Sequence, residues 1–251
     1  MPRLVLALAV LSLAAPVAPA DVSGTRSAQT ANGFANTVPT RWMLTLGDSK
    51  TAFHDAQYGH WQDTLITALS ATSGGPWVYV NRGVGSQTVA SYLAIMQSGA
   101  TLGAPFCAGV PVLIDSICIP PTWAPPAAVL INLGINDSFL NVITTQATWQ
   151  TNYLAIIDLV RARWPTAPIY VMRWWATGFA GSGAGAAADA DTMDAWVPAM
   201  IALRANVYLG PDERVWLKGA DNGVTNCYDG IHQNSAGIVA TAAAWKAVLQ
   251  P

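Results

Sequence analysis

The chain has 251 residues, of which 52% are apolar and 10% charged, with 12 basic and 14 acidic side chains giving a net charge of −2. So few charges exclude a polyanion-binding surface, which needs clustered Lys and Arg. The hydrophobicity excludes a disordered chain, and the length suits one domain with a large buried core.

The first element is a leader. Arg3 is followed by the apolar run Leu4 to Ala15 and then by Pro16-Val-Ala-Pro-Ala20. A basic start, a short apolar stretch and small residues at Ala18 and Ala20 read as a secretory signal peptide over 1–20, cut after Ala20. The run is too short for a membrane span, which takes ~20 residues. No later stretch is long and apolar enough to span, so the expected product is soluble and exported, with no stable membrane insertion. Residues 21–40 are Ser/Thr/Asn/Gly-rich and read as a loose leader ahead of a domain over 41–251.

From Trp42 the chain alternates. Trp42–Leu46 reads as a strand ending in Gly47-Asp48-Ser49, and His60–Ser70 as a helix. Trp77–Val80 is a second strand, followed by Asn81-Arg82-Gly83-Val84-Gly85-Ser86, and Thr88–Gln97 a short helix. Ala127–Leu133 is an unbroken apolar run, the mark of a strand buried on both faces, and leads into Gly134-Ile135-Asn136-Asp137. Gln146–Trp164 has helical periodicity, Pro168–Trp174 reads as a strand, Asp189–Ala205 as a helix containing an awkward Pro198, Val207–Leu209 as a short strand and Ser235–Leu249 as a closing helix. This order predicts an α/β fold with a mostly parallel sheet. In such sheets ligands bind beyond the carboxyl ends of the strands, where 47–49, 81–86 and 134–137 should converge.

Two Gly/Ala-rich segments, 100–126 and 177–190, interrupt the alternation. The first holds Cys107 and Cys118. Their short loop favours a disulfide between them, leaving Cys227 as a thiol; three buried thiols are the alternative.

Several nucleotide and metal patterns fail on inspection. Gly47–Thr51 lacks the glycines of a phosphate loop, and the glycines of 181–186 do not directly follow a strand. There is no Gly-x-Ser-x-Gly elbow. Glu213 is the only glutamate, so no His-Glu-x-x-His metal site exists.

A different set of residues carries chemistry. Ser49 stands at a strand end after Gly47-Asp48, and Asp229-Gly-Ile-His232 precedes the last helix. A serine hydroxyl needs a base to become a nucleophile at neutral pH. His232 can take its proton, and Asp229, three residues away across a glycine turn, can orient the imidazole. Attack on an acyl carbon creates an oxyanion that requires donors already in place: the Asn136 amide and backbone N–H groups at Gly85 and Ser86. His54, five residues after Ser49, is near enough to line the site. His60 reads as structural. Trp174 or Trp175 can floor an acyl or sugar pocket, or both can pack in the core.

These residues resemble the SGNH (GDSL-type) hydrolases. Gly47-Asp48-Ser49 resembles the first block, Asn81-Arg-Gly-Val-Gly-Ser86 the second, Gly134-Ile-Asn136-Asp137 the third and Asp229-Gly-Ile-His232 the last. The resemblance runs from about residue 41 to 250. It implies a three-layer α/β/α sandwich, flavodoxin-like, with about five parallel strands, no metal and no cofactor. It also implies a serine esterase acting on a small-molecule ester or an acylated glycan. In one place the chain departs from the pattern. The donor glycine expected five residues after the second block's asparagine is Ser86 here, with Gly85 before it. A backbone N–H can come from either, and a left-handed serine costs about 1 kcal/mol. The same residues also suit an O-acyltransferase, and a non-catalytic glycan-binding module is a further alternative. The substrate itself is not legible: the apolar 100–126 segment suits a lipid-like acyl pocket, a Trp-lined cleft a polysaccharide.

Overall fold

The computed structural model describes residues 41–52, 59–73, 75–97, 124–140, 145–174, 191–217 and 225–250. The expected signal peptide, the loose leader, His54, Trp175, Cys107 and Cys118 all lie outside them.

Five strands form one parallel sheet: β1 (Trp42–Gly47), β2 (Val78–Gly83), β3 (Ala128–Asn132), β4 (Ile169–Arg173) and β5 (Val207–Asp212). Their spatial order is β2-β1-β3-β4-β5. The order reverses between β1 and β3, so the crevice at the carboxyl ends of those two strands is the natural place for a site.

The strands alternate between two cores with the expected period of two. Trp42, Leu44 and Leu46 of β1 and Val129 and Ile131 of β3 face one side, against α3 (Val89–Gln97), α5 (Gln146–Arg163) and α6 (Val197–Ile201). Met43, Ala128, Leu130 and Met172 face the other, against α2 (Trp61–Ser73) and α8 (Ser235–Leu249). There the rings of Trp61 and Trp245 stack at 6.0 Å, joining α2 to α8. The result is the α/β/α sandwich with flavodoxin-like strand order. Among the described residues, short helices also include α1 (Ser49–Ala52), α4 (Ile135–Phe139) and α7 (Arg214–Leu217).

Differences from the sequence reading have identifiable causes. The helix expected over 189–205 is broken in its described part: residues 191–194 are helical, 195–196 form a turn, and α6 covers Val197–Ile201, with Pro198 in its first turn. Proline has no N–H to give and is accepted where none is required. β2 continues through Asn81 and Arg82 to Gly83, because parallel pairing with Thr45–Gly47 carries it past its apolar part. β5 runs on through Gly210 and Pro211, which an edge strand tolerates. α8 begins and ends where its periodicity predicts, with Asn234 capping the N–H groups of Ala236 and Gly237.

Candidate active site

The site starts from the end of β1. A Cβ on Gly47 would lie 2.2 Å from the Asn132 carbonyl oxygen and 2.3 Å from Thr51 Oγ1, so only glycine lets the chain turn there. The next residue, Asp48, is fully buried. Its carbonyl accepts from the N–H groups of Thr51 and Ala52, and its Oδ1 accepts from the Lys50 N–H at 3.0 Å. These bonds wind α1, with Ser49 as its first residue. Burial pushes the Asp48 carboxyl up to about 7, against the pull of the Lys50 N–H and ammonium.

The last block meets this turn from the other end of the chain. Asp229 Oδ1 accepts from the backbone N–H groups of Ile231 (2.9 Å) and His232 (2.7 Å), and Gly230 supplies the left-handed turn at φ 85°. Asp229 Oδ2 lies 2.5 Å from His232 Nδ1, and His232 Nε2 lies 2.9 Å from Ser49 Oγ. Burial opposes ionisation of Asp229, but the hydrogen bonds from the His232 ring and from the two backbone N–H groups outweigh it. They hold this carboxyl below its ordinary value. An ionised carboxylate only accepts, so it fixes the proton on Nδ1 and leaves Nε2 to accept from the serine. The Tyr228 ring, half-exposed, stacks on the imidazole at 5.8 Å and 21°. A shallow cleft opens here, lined by Ser49, His232, Tyr228, Trp61 and Gln233 among others.

The second and third blocks stand at the neighbouring strand ends. Asn81 ties β2 to α1, donating to the Thr51 carbonyl at 2.7 Å and accepting from the Gly83 N–H at 2.8 Å. Beyond it the left-handed conformation falls on Ser86, at φ 62°, and not on Gly85. Asn136 sits in the first turn of α4 and donates through Nδ2 to the Gln87 carbonyl at 3.0 Å. That uses one of its two amide hydrogens. Gly134 opens the turn at φ 130°, and a Cβ there would strike the Trp174 indole at 2.3 Å. Trp174 is therefore a core residue packed beneath this turn, not a pocket floor. Among the described residues the tryptophan that lines the cleft is Trp61, whose Nε1 donates to the Lys50 carbonyl at 3.1 Å.

Sequence reasoning missed two features. Lys50, next to the serine, forms an ion pair with Glu213, and both side chains are fully buried. The only hint was that Glu213 is the sole glutamate. Asp137 was legible as a motif letter but not as the acceptor for the Val89 N–H. His60 is half-buried beside Trp61. Cys227 is buried, with Sγ 3.7 Å from the Ile231 carbonyl. Among the described residues no group of three or more His, Cys, Asp or Glu is placed to hold a metal ion. No described helix is long and apolar enough to cross a membrane.

The sequence matches the profile of the GDSL-like lipase/acylhydrolase family over residues 45–238, and the chain belongs to that family. No curated protein matches it closely. Among solved structures it is similar to a GDSL-like lipase from Bacteroides thetaiotaomicron, at 15% identity and TM-score 0.57, covering 86% of this chain and 92% of that one. It is also similar to the psychrotrophic esterase EstA from Pseudoalteromonas sp., at 18% identity and TM-score 0.55, covering 84% and 100%. A third is the acetylxylan esterase Axe2 from Geobacillus stearothermophilus, at 15% identity and TM-score 0.58, covering 85% and 95%. At these identities the likeness is one of fold.

Proposed function

We propose that this member of the GDSL-like family is an exported carboxylic ester hydrolase that works through an acyl-enzyme on Ser49. The observation that carries the reading is the unbroken chain of hydrogen bonds from Asp229 through His232 to Ser49 Oγ. Ser49 Oγ attacks the ester carbonyl carbon while its proton passes to His232 Nε2. The oxyanion is received by the second amide hydrogen of Asn136 and by the Ser86 backbone N–H. Collapse breaks the bond to the alcohol, which takes the proton from His232. Water then attacks the acyl carbon, again giving its proton to His232, and the acid leaves as that proton returns to Ser49. Asp229 keeps Nδ1–H in place throughout and stabilises the imidazolium. No step uses a metal or cofactor.

The substrate proposed is an ester of a short acyl group, either on a small molecule or on a glycan. The aromatic and polar lining of the cleft beside His232 supports a hydroxyl-bearing alcohol. The fold is also that of an acetylxylan esterase. Export rests on the leader over 1–20. The test is a chain-length series of soluble esters run beside acetylated xylan. Release of acetate from xylan, with rates falling steeply beyond butyrate, is expected. Preference for long acyl chains contradicts the substrate reading, and no hydrolysis of any ester contradicts the activity.

A further inference from the structure

Asn136 and Asp137 are neighbours in the first turn of α4, and both reach across to the same short stretch after β2. Asn136 Nδ2 donates to the Gln87 carbonyl at 3.0 Å. Two residues further on, the Val89 N–H donates to Asp137 Oδ2 at 2.9 Å. One bond runs in each direction, so the stretch carrying Ser86 is pinned at two points to the turn carrying Asn136.

Val89 is the first residue of α3, and N–H groups at a helix start need an outside acceptor. That helix start already has a local cap. Thr88 Oγ1 accepts from the Ser91 N–H at 3.2 Å, and Ser91 Oγ accepts from the Thr88 N–H at 2.9 Å. That cap serves the N–H groups of Thr88 and Ser91, and the Val89 N–H is taken by a carboxyl group 48 residues away. Yet Asp137 is 5% exposed, and burial pushes it up to about 7, so its placement is costly. What the bond adds is registration of the second block against the third. A left-handed serine is strained and persists only where its surroundings over-determine it. Oxyanion donors must sit within about 2.7–3.1 Å of the developing charge.

Resting on the proposed esterase reading, we propose that Asp137 is a positioning residue that fixes the spacing between the Ser86 N–H and the Asn136 amide. It touches neither substrate nor Ser49. It acts by holding the backbone of 86–89, and with it one oxyanion donor, at a set distance from the other. Loss of that bond lets the Ser86 N–H drift while the substrate cleft, on the His232 side of Ser49, stays intact.

The experiment compares Asp137→Ala, Asp137→Asn and Asn136→Ala on a soluble acetate ester, with amide hydrogen exchange read at Ser86–Val89. Asp137→Ala should lower kcat roughly 10- to 100-fold, the scale of a small misplacement, with KM within about twofold. Asp137→Asn keeps an oxygen that accepts from Val89 and should recover to within a few-fold of wild type. Exchange at Val89 should quicken in Asp137→Ala and not in Asp137→Asn. If Asp137→Ala does not fold, Asp137→Ser, too short to reach Val89, should show the same kcat loss. Wild-type kcat in a folded Asp137→Ala or Asp137→Ser protein overturns the proposal. So does failure of Asp137→Asn to restore kcat while Val89 stays protected. If wild-type protein hydrolyses no ester, the esterase reading falls, and exchange at Ser86–Val89 alone decides whether the pin exists.

Discussion

Ser86 offers a perturbation whose effect can be worked from the backbone alone. At φ 62° it occupies a region that costs an L-residue about 1–2 kcal/mol and glycine almost nothing. Ser86→Gly removes that strain but loosens the unfolded chain, at a cost of about 0.5–1 kcal/mol. The net expectation is a stability change between about zero and +1.5 kcal/mol, or up to ~6 °C in Tm for a domain of this size. Ser86→Val, with a branched Cβ, should lose more than 1 kcal/mol. Activity follows a separate rule. The donor proposed here is the backbone N–H, which Ser86→Gly keeps, so turnover should stay near wild type. Ser86→Pro deletes the N–H and forces φ to about −65°, and should cost ~10²-fold or more in kcat. Thermal melting and ester hydrolysis on the four proteins check both halves. A Ser86→Gly protein destabilised by more than 1 kcal/mol, with Ser86→Val unaffected, would refute the strain argument. A folded, fully active Ser86→Pro protein alongside a dead Gly85→Pro would move the donor to residue 85.

Removing one partner of the buried Lys50–Glu213 pair strands a charge, so Lys50→Met or Glu213→Leu alone should cost about 3–5 kcal/mol in urea unfolding, and the double replacement should recover most of it. Asp48 makes stability fall with rising pH. Its carboxyl titrates at about 7 when folded, against 3.8 unfolded, so between those values the folded chain holds a proton that the unfolded chain releases. Asp48→Asn should remove up to about 1.4 kcal/mol per pH unit of that slope across pH 4–7, and an unchanged slope would show that Asp48 is already ionised. Gly134→Ala forces a Cβ into the Trp174 indole at a φ that L-residues rarely adopt, and should either unfold the turn or cost turnover by displacing Asn136; a stable, fully active Gly134→Ala protein would contradict that packing.

Much of the architecture was legible because strands buried on both faces must be apolar runs, and Ala127–Leu133 could be nothing else in that alternation. The site was legible where its residues are close in sequence or sit at strand ends. The Asp229-Gly-Ile-His232 turn brings carboxylate and imidazole together within three residues, and Gly47-Asp-Ser49 ends a strand. What could not be read were pairings set only by the finished fold. Lys50 and Glu213 are 163 residues apart, and Asp137 and Val89 are 48. The fate of Trp174 depended on Gly134 lying above it. The polar end of β2 looked like a loop because its pairing with β1 carries no local hydrophobic signal. Pro198 conflicts with a continuous helical pattern, and the chain resolves the conflict by turning at 195–196 so that the proline falls in a first turn.

The most direct test of the central claim is to mix the protein with a soluble acetate ester, quench in acid within milliseconds, and locate any acetyl group by peptide mass. The account predicts an acetyl adduct on Ser49 in the wild-type protein. It predicts no adduct, with turnover lower by ~10⁴-fold or more, in a folded Ser49→Ala protein. An adduct on another residue, or near wild-type hydrolysis by Ser49→Ala, would contradict it.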